Sequence, residues 1–127
     1  MAKSNLTHLP WVIWLVVISF LSLLPGDRLP EIKFEWFKID TMVHIIMYTV
    51  LSFLMLFGFC FKKNEPFRRK ALYIVVVCII FGFGIEIIQG SLIRNRFFSW
   101  KDFIANNLGV FTGMLIYYYY NKKEITW

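Results

Sequence analysis

Apolar residues in this chain come in four long blocks separated by short polar stretches, and this constrains the fold more than any other feature. The blocks are Leu9–Leu24, Ile39–Phe61, Ala71–Ile93 and Phe103–Tyr120. Amphipathic stripes would mark helices of a soluble protein; continuous blocks mark segments meant for lipid. A helix needs about 20 residues, at about 1.5 Å each, to cross a bilayer. The first block reaches that length if it begins near Leu6. A lone strand cannot satisfy its backbone in lipid, so all four blocks are expected to be helices. Of the 127 residues, 58% are hydrophobic and 20% aromatic, against about 45–50% apolar in an ordinary soluble domain. The expected fold is all-α: one integral membrane four-helix bundle spanning residues 1–127, with spans near 6–24, 39–61, 71–93 and 103–120. The first block lacks the charged leader and the small-residue cleavage site of a signal peptide, so it is read as a retained span.

Charge sets the expected orientation. The linker "KKNEPFRRK" (62–70) holds five of the fourteen positive charges and one acid. With Lys3, Lys122 and Lys123, that side carries eight positive charges against six on the other, where Asp27, Glu31, Glu35, Asp40 and Asp102 offset them. The positive-inside rule then places both termini in the cytoplasm, in a multi-pass protein of the bacterial inner membrane. The net charge of +6 belongs to these flanks; without a soluble basic face, nucleic acid is not an expected partner. Tyr117–Tyr120 suit an aromatic belt at the inner interface, and Trp36 and Trp100 the outer one.

Within this frame the ionisable groups fall in one leaflet. In "FGFGIEIIQG" (81–90), Glu86 lies about 10 Å below a boundary at Ile93, and Gln89 lies one turn closer to the surface. Asp40, His44 and Tyr48 step inward from the same surface at intervals of four, on one helix face. Cys78, Gly82, Glu86 and Gln89 form a second face, and Asp102, Asn106, Gly109 and Gly113 a third. The loop "RNRFFSWK" between them supplies Arg94, Arg96 and Lys101. Small residues let membrane helices approach closely, and "GVFTG" is a GxxxG pattern. The three stripes are therefore expected to face one another. Gly82, Gly109 and Gly113 would pack the deeper half, and the polar residues would line a pocket open to the outside.

The combination of "IDTMVHIIMY", "IEIIQG" and "RNRFFSWKDFIANNLGVFTG", with "LSLLPGD" closing the first block, resembles the VanZ-like family of small bacterial membrane proteins. That family is named for a protein associated with teicoplanin resistance. The resemblance runs from about Trp11 to Tyr120. It implies family polar positions at Asp40, His44, Tyr48, Glu86, Gln89, Arg96, Asp102, Asn106, Gly109 and Gly113. Thr41 departs from the pattern, since many relatives carry lysine there.

Several roles remain open for these residues. Glu86 is either a functional acid or the buried partner of Arg94 or Arg96. His44 is a proton-transfer group, a ligand or an interhelical hydrogen-bond donor. Asp40 and Asp102 are expected to cap their helices and complement the dipole whatever else they do. Asn106 and Tyr48 are interhelical glue or substrate contacts. As an enzyme, the chain would use His44 or Glu86 with Asp40 and Asp102 for acid–base chemistry. Arg96, Arg94, Gln89, Asn106 and Tyr48 would then hold an anionic envelope lipid or lipid-linked precursor. His and carboxylates suit several divalent metals, but no HExxH or paired-His motif supports zinc, and no metal or other cofactor is assigned. Ser19 and Ser22 lie at a suitable depth without an identifiable base. A non-catalytic translocator would require a homo-oligomer at four spans, and an accessory protein would use the polar cluster only to tie its loops. Cys60 and Cys78 are expected to stay unpaired.

Overall fold

Pro10 presets the first turn of α1, Leu9–Ser22, because its fixed φ suits a helix start and its missing N–H costs nothing there. Pro25 discourages helical geometry at Leu24 and so helps to end the segment. Three longer helices follow: α2, Ile39–Cys60; α3, Phe67–Leu92; and α4, Trp100–Asn121. This is a computed structural model, and it describes residues 5–25, 39–61 and 66–127. Among these residues there are four helices and no strand. Much of the charge pattern used to orient the chain, together with Trp36, falls in 1–4, 26–38 and 62–65, outside the described residues.

The helices begin where local chemistry places them. Helix α3 starts earlier than the apolar block, because Pro66 adopts an extended conformation at its N-cap and the basic Arg68, Arg69 and Lys70 already lie in helix. Helix α4 also starts early, at a Ser99 cap: the Ser99 hydroxyl accepts from the Asp102 N–H at 3.3 Å. Helices α2 and α3 are long and apolar enough to cross a membrane, while α1 is apolar but shorter. The outward faces of α2, α3 and α4 carry Ile46, Leu72, Val76, Ile80, Phe83 and Leu115, all exposed. So broad an apolar exterior is unusual for a protein surrounded by water.

Helices α2 and α4 make the most intimate pair in the bundle, because Gly109 and Gly113 bring backbone against backbone. A Cβ added at Gly113 would run into Ser52 Oγ and Thr49 O of α2; one at Gly109 would meet Ile45 O and come within 3.0 Å of Thr49 N. Gly82 of α3 lies against Tyr48 and Asn106, each 3.3 Å from its added Cβ. The small stripe of α4 thus closes on α2, and that of α3 on the seam between α2 and α4. The core around them contains Ile18, Tyr48, Leu51, Met55, Leu56, Ile74, Cys78 and Val110. Both cysteines are free; Cys78 Sγ lies 3.6 Å from Met55 Sδ.

The tyrosine run divides between core and surface. Tyr117 is buried and stacks on Phe67 at 6.2 Å with 8° between rings, while Tyr119 and Tyr120 are exposed. Only the latter two have the outward position an interfacial belt needs. Trp100, at the opposite end, is also exposed.

Helix α1 joins the bundle through few contacts, so each counts. The Trp14 indole N–H donates to Met47 O of α2 at 2.9 Å. Near the other end, Gly58 leaves room for His8 and Trp11, whose rings pack on Phe59. Interhelical hydrogen bonds in membranes contribute about 0.6–2 kcal/mol. Trp14→Phe is therefore expected to lower stability by about 1 kcal/mol, read as an earlier midpoint in thermal unfolding followed by circular dichroism.

Candidate functional site

All the expected polar stripes point into the bundle. His44, Tyr48, Cys78, Gly82, Glu86, Gln89, Asn106, Gly109 and Gly113 are buried, Asp102 is half-buried, and Asp40 is exposed at the mouth. The loop 93–99 brings the remaining groups over them. Asn95 takes φ 58°, a left-handed conformation that asparagine tolerates better than most residues, and the Arg96 N–H closes the turn on Ile93 O at 3.3 Å. Gly90 makes the return possible, since a Cβ there would stand 2.8 Å from Phe98 N. The loop can then lie on the last turns of α3, and the Ser99 N–H donates to Glu86 Oε2 at 3.3 Å.

His44 occupies the centre. Its Nδ1–H donates to Asn106 Oδ1 at 2.8 Å. A carboxamide oxygen only accepts, so Nδ1 is the donor here, and the bond turns Nε2 the other way. Nε2 faces Asp40 Oδ1 and Asp102 Oδ2, each at 3.9 Å. Arg96 stands beside them, with one guanidinium nitrogen 3.9 Å from Asp40 Oδ2. Thr41 donates to Asp102 Oδ1 at 3.4 Å, so this position contributes a neutral hydroxyl to the cluster. Arg94 is exposed on the loop; of the two arginines, Arg96 is the one that meets Asp40.

The capping expectation for Asp102 changes, although it does lie in the first turn of α4. Ser99, rather than Asp102, caps α4, which frees the Asp102 carboxylate for Thr41 and His44. The "SWKD" spacing, Ser followed three residues later by an acid, is a helix-start pattern that could have revealed this. Asp40 lies in the first turn of α2, where it complements the dipole, and its carboxylate also reaches Arg96 and His44.

Helix α1 completes the site through its backbone, which sequence reasoning missed. A helix end leaves its last carbonyls without partners. Gln89 Nε2 donates to Ser22 O at 2.8 Å, and Arg96 Nε donates to Leu24 O at 3.4 Å. Arg96 thereby meets the negative end of the α1 dipole as well as Asp40. Gln89, expected among the substrate contacts, is buried and committed to α1. Ser19 Oγ is bonded to Leu15 O within its own helix. Neither observation provides a base for serine chemistry.

Among the described residues, several buried polar atoms have no hydrogen-bond partner: Glu86 Oε1, Tyr48 OH, Asn106 Nδ2, Ser22 Oγ and Asn107 Oδ1. Glu86 is fully enclosed, and it interacts electrostatically with His44, Asp102 and Asp40. Its one described hydrogen bond comes from Ser99 rather than from an arginine. A cavity of about 530 Å³ lies at the opposite end of the bundle, lined by Phe57, Cys60, Phe67, Lys70, Tyr117 and neighbours. It is separate from the polar cluster.

A family model described as VanZ/LLP1 matches residues 4–121. No curated protein and no solved structure matches the chain. With the match covering nearly the whole sequence, the chain belongs to the VanZ/LLP1 family.

Proposed function

We propose that the chain crosses a bacterial inner membrane four times, with both termini cytoplasmic, and uses the cluster at the outer end of its bundle to bind and act on an anionic cell-envelope lipid or lipid-linked precursor. The observation that carries this reading is the convergence, at one end of an apolar bundle, of Arg96, Asp40, His44 and Asp102 above the buried Glu86. An ionisable group at membrane depth is costly, so such groups mark pathways or sites. Arginine suits phosphate or carboxylate recognition, and a histidine between carboxylates suits proton transfer. The family resemblance adds a bearing on glycopeptide, notably teicoplanin, tolerance.

A second reading makes the chain a non-catalytic accessory protein or small translocator whose polar residues are structural. The bonds from Gln89 to Ser22, from Arg96 to Leu24 and from Ser99 to Glu86 favour it, because each ties a loop or helix end in place. Lipid profiling of a deletion strain beside a strain carrying His44→Ala separates the two. The first reading expects both to accumulate the same envelope lipid while His44→Ala protein is present at wild-type levels. Profiles identical to wild type would move the assignment to the accessory role.

A further inference from the structure

We infer that Asp40, His44 and Asp102 form a binding site for a divalent first-row transition-metal ion, of the Mn2+ or Zn2+ type, at the mouth of the bundle. One donor atom from each residue lies within 4.8 Å of the others. Metal-bound histidines characteristically donate their second ring N–H to a neighbouring oxygen, which orients the ring. Here Nδ1–H donates to Asn106 Oδ1 at 2.8 Å, leaving Nε2 directed at two carboxylates.

Those two contacts, at 3.9 Å, are too long for hydrogen bonds. An ion between Nε2 and the two carboxylates would replace these long contacts with direct coordination. With metal–ligand distances of about 2.0–2.2 Å, donors around one ion stand about 3–3.5 Å apart, so the two His44 contacts need to close by about half an ångström or slightly more and the widest pair by about 1–2 Å. Asp40 is free to make this adjustment, because its side chain is 47% exposed.

A second observation points to the same place. Among the described residues Glu86 Oε1 is buried without a partner, and Glu86 interacts electrostatically with His44, Asp40 and Asp102. The two carboxylates of Asp40 and Asp102 face a single guanidinium, that of Arg96, so the cluster has room for further positive charge, which a divalent ion would supply. One imidazole with carboxylates selects borderline cations over thiolate-seeking ones. Three protein ligands would also leave coordination positions for an oxygen of a bound anion, with Arg96 beside them.

The inference concerns the same residues as the amphiphile reading but does not depend on it. The test uses full-length protein in detergent micelles, stripped with a chelator and titrated separately with Mn2+ and Zn2+. Bound metal is counted by elemental analysis, and Mn2+ is followed by electron paramagnetic resonance. One ion per chain is expected. Asp40→Asn and Asp102→Asn are each expected to weaken binding by about tenfold or more, and Asn106→Ala by about 10–100-fold through misorientation of His44. Asp40 is exposed, so its amide variant should fold normally and keeps the test meaningful if the others do not. No saturable binding, or binding equally tight in Asp40→Asn, overturns the inference. In parallel, a short-chain phosphatidic acid is titrated with and without metal. Metal binding with no lipid binding supports the ion site while removing the amphiphile reading; lipid binding without any metal binding does the reverse.

Discussion

Gly113→Leu is expected to leave no correctly assembled protein. A Cβ at this position already overlaps Ser52 Oγ and the main-chain oxygen of Thr49. The serine hydroxyl can rotate away, but the Thr49 carbonyl belongs to helix α2 and cannot move unless the helix moves. Overpacking a tight interior costs about 1–3 kcal/mol, occasionally more, and a whole domain is stable by only about 5–15 kcal/mol. Gly113→Ala should therefore produce a large drop in melting temperature, and leucine should abolish the monodisperse peak in fluorescence-detected size-exclusion chromatography. Gly84 supplies the control: nothing lies within 4 Å of its added Cβ. Gly84→Ala should be neutral or slightly stabilising, since alanine favours helix over glycine by about 1 kcal/mol. Wild-type elution and melting of Gly113→Leu would show that α2 and α4 do not pack through this face.

The second large effect is expected at Glu86, and the substitution chosen decides what is seen. Glutamine retains a carbonyl oxygen able to accept from the Ser99 N–H, so Glu86→Gln should fold at normal yield. It removes the ionisable carboxyl beside His44, Asp40 and Asp102, so it should fail to complement the deletion strain. Glu86→Leu goes further and strips the half-buried Ser99 N–H of its acceptor. An unsatisfied buried donor costs about 1–3 kcal/mol, so this variant should lose yield as well as function. Folded yield from detergent extraction, read beside complementation of the deletion strain, checks both. Full complementation by Glu86→Gln would mean that the ionisable carboxyl is dispensable and the residue holds only the loop.

The polar face of each long helix was legible because helical periodicity is local. Asp40, His44 and Tyr48 lie four apart, and Glu86 and Gln89 share a face with Gly82; burial follows those patterns closely. The glycines of "GVFTG" announced close packing without naming the helix they meet, because that choice is tertiary. Helix α1 was the least readable element. Its share of the site consists of the main-chain oxygens of Ser22 and Leu24, and no side-chain pattern advertises a carbonyl. Gly90 was hidden for a related reason: its need for smallness arises from Phe98, in a loop eight residues further on. The three proposed metal ligands escape motif reading because two lie on α2 and the third comes from α4, beyond the whole of α3.

The modest attachment of α1 has a consequence for how this helix would detach. Helices α2 and α4 are locked backbone to backbone, whereas the outer end of α1 is held by the side chains of Gln89 and Arg96. Swinging that end outward would break both bonds together. It would uncover a carboxamide and a guanidinium on the flank of the bundle and leave the carbonyls of Ser22 and Leu24 without these donors, so α1 is expected to come away from the polar cluster in one step rather than residue by residue.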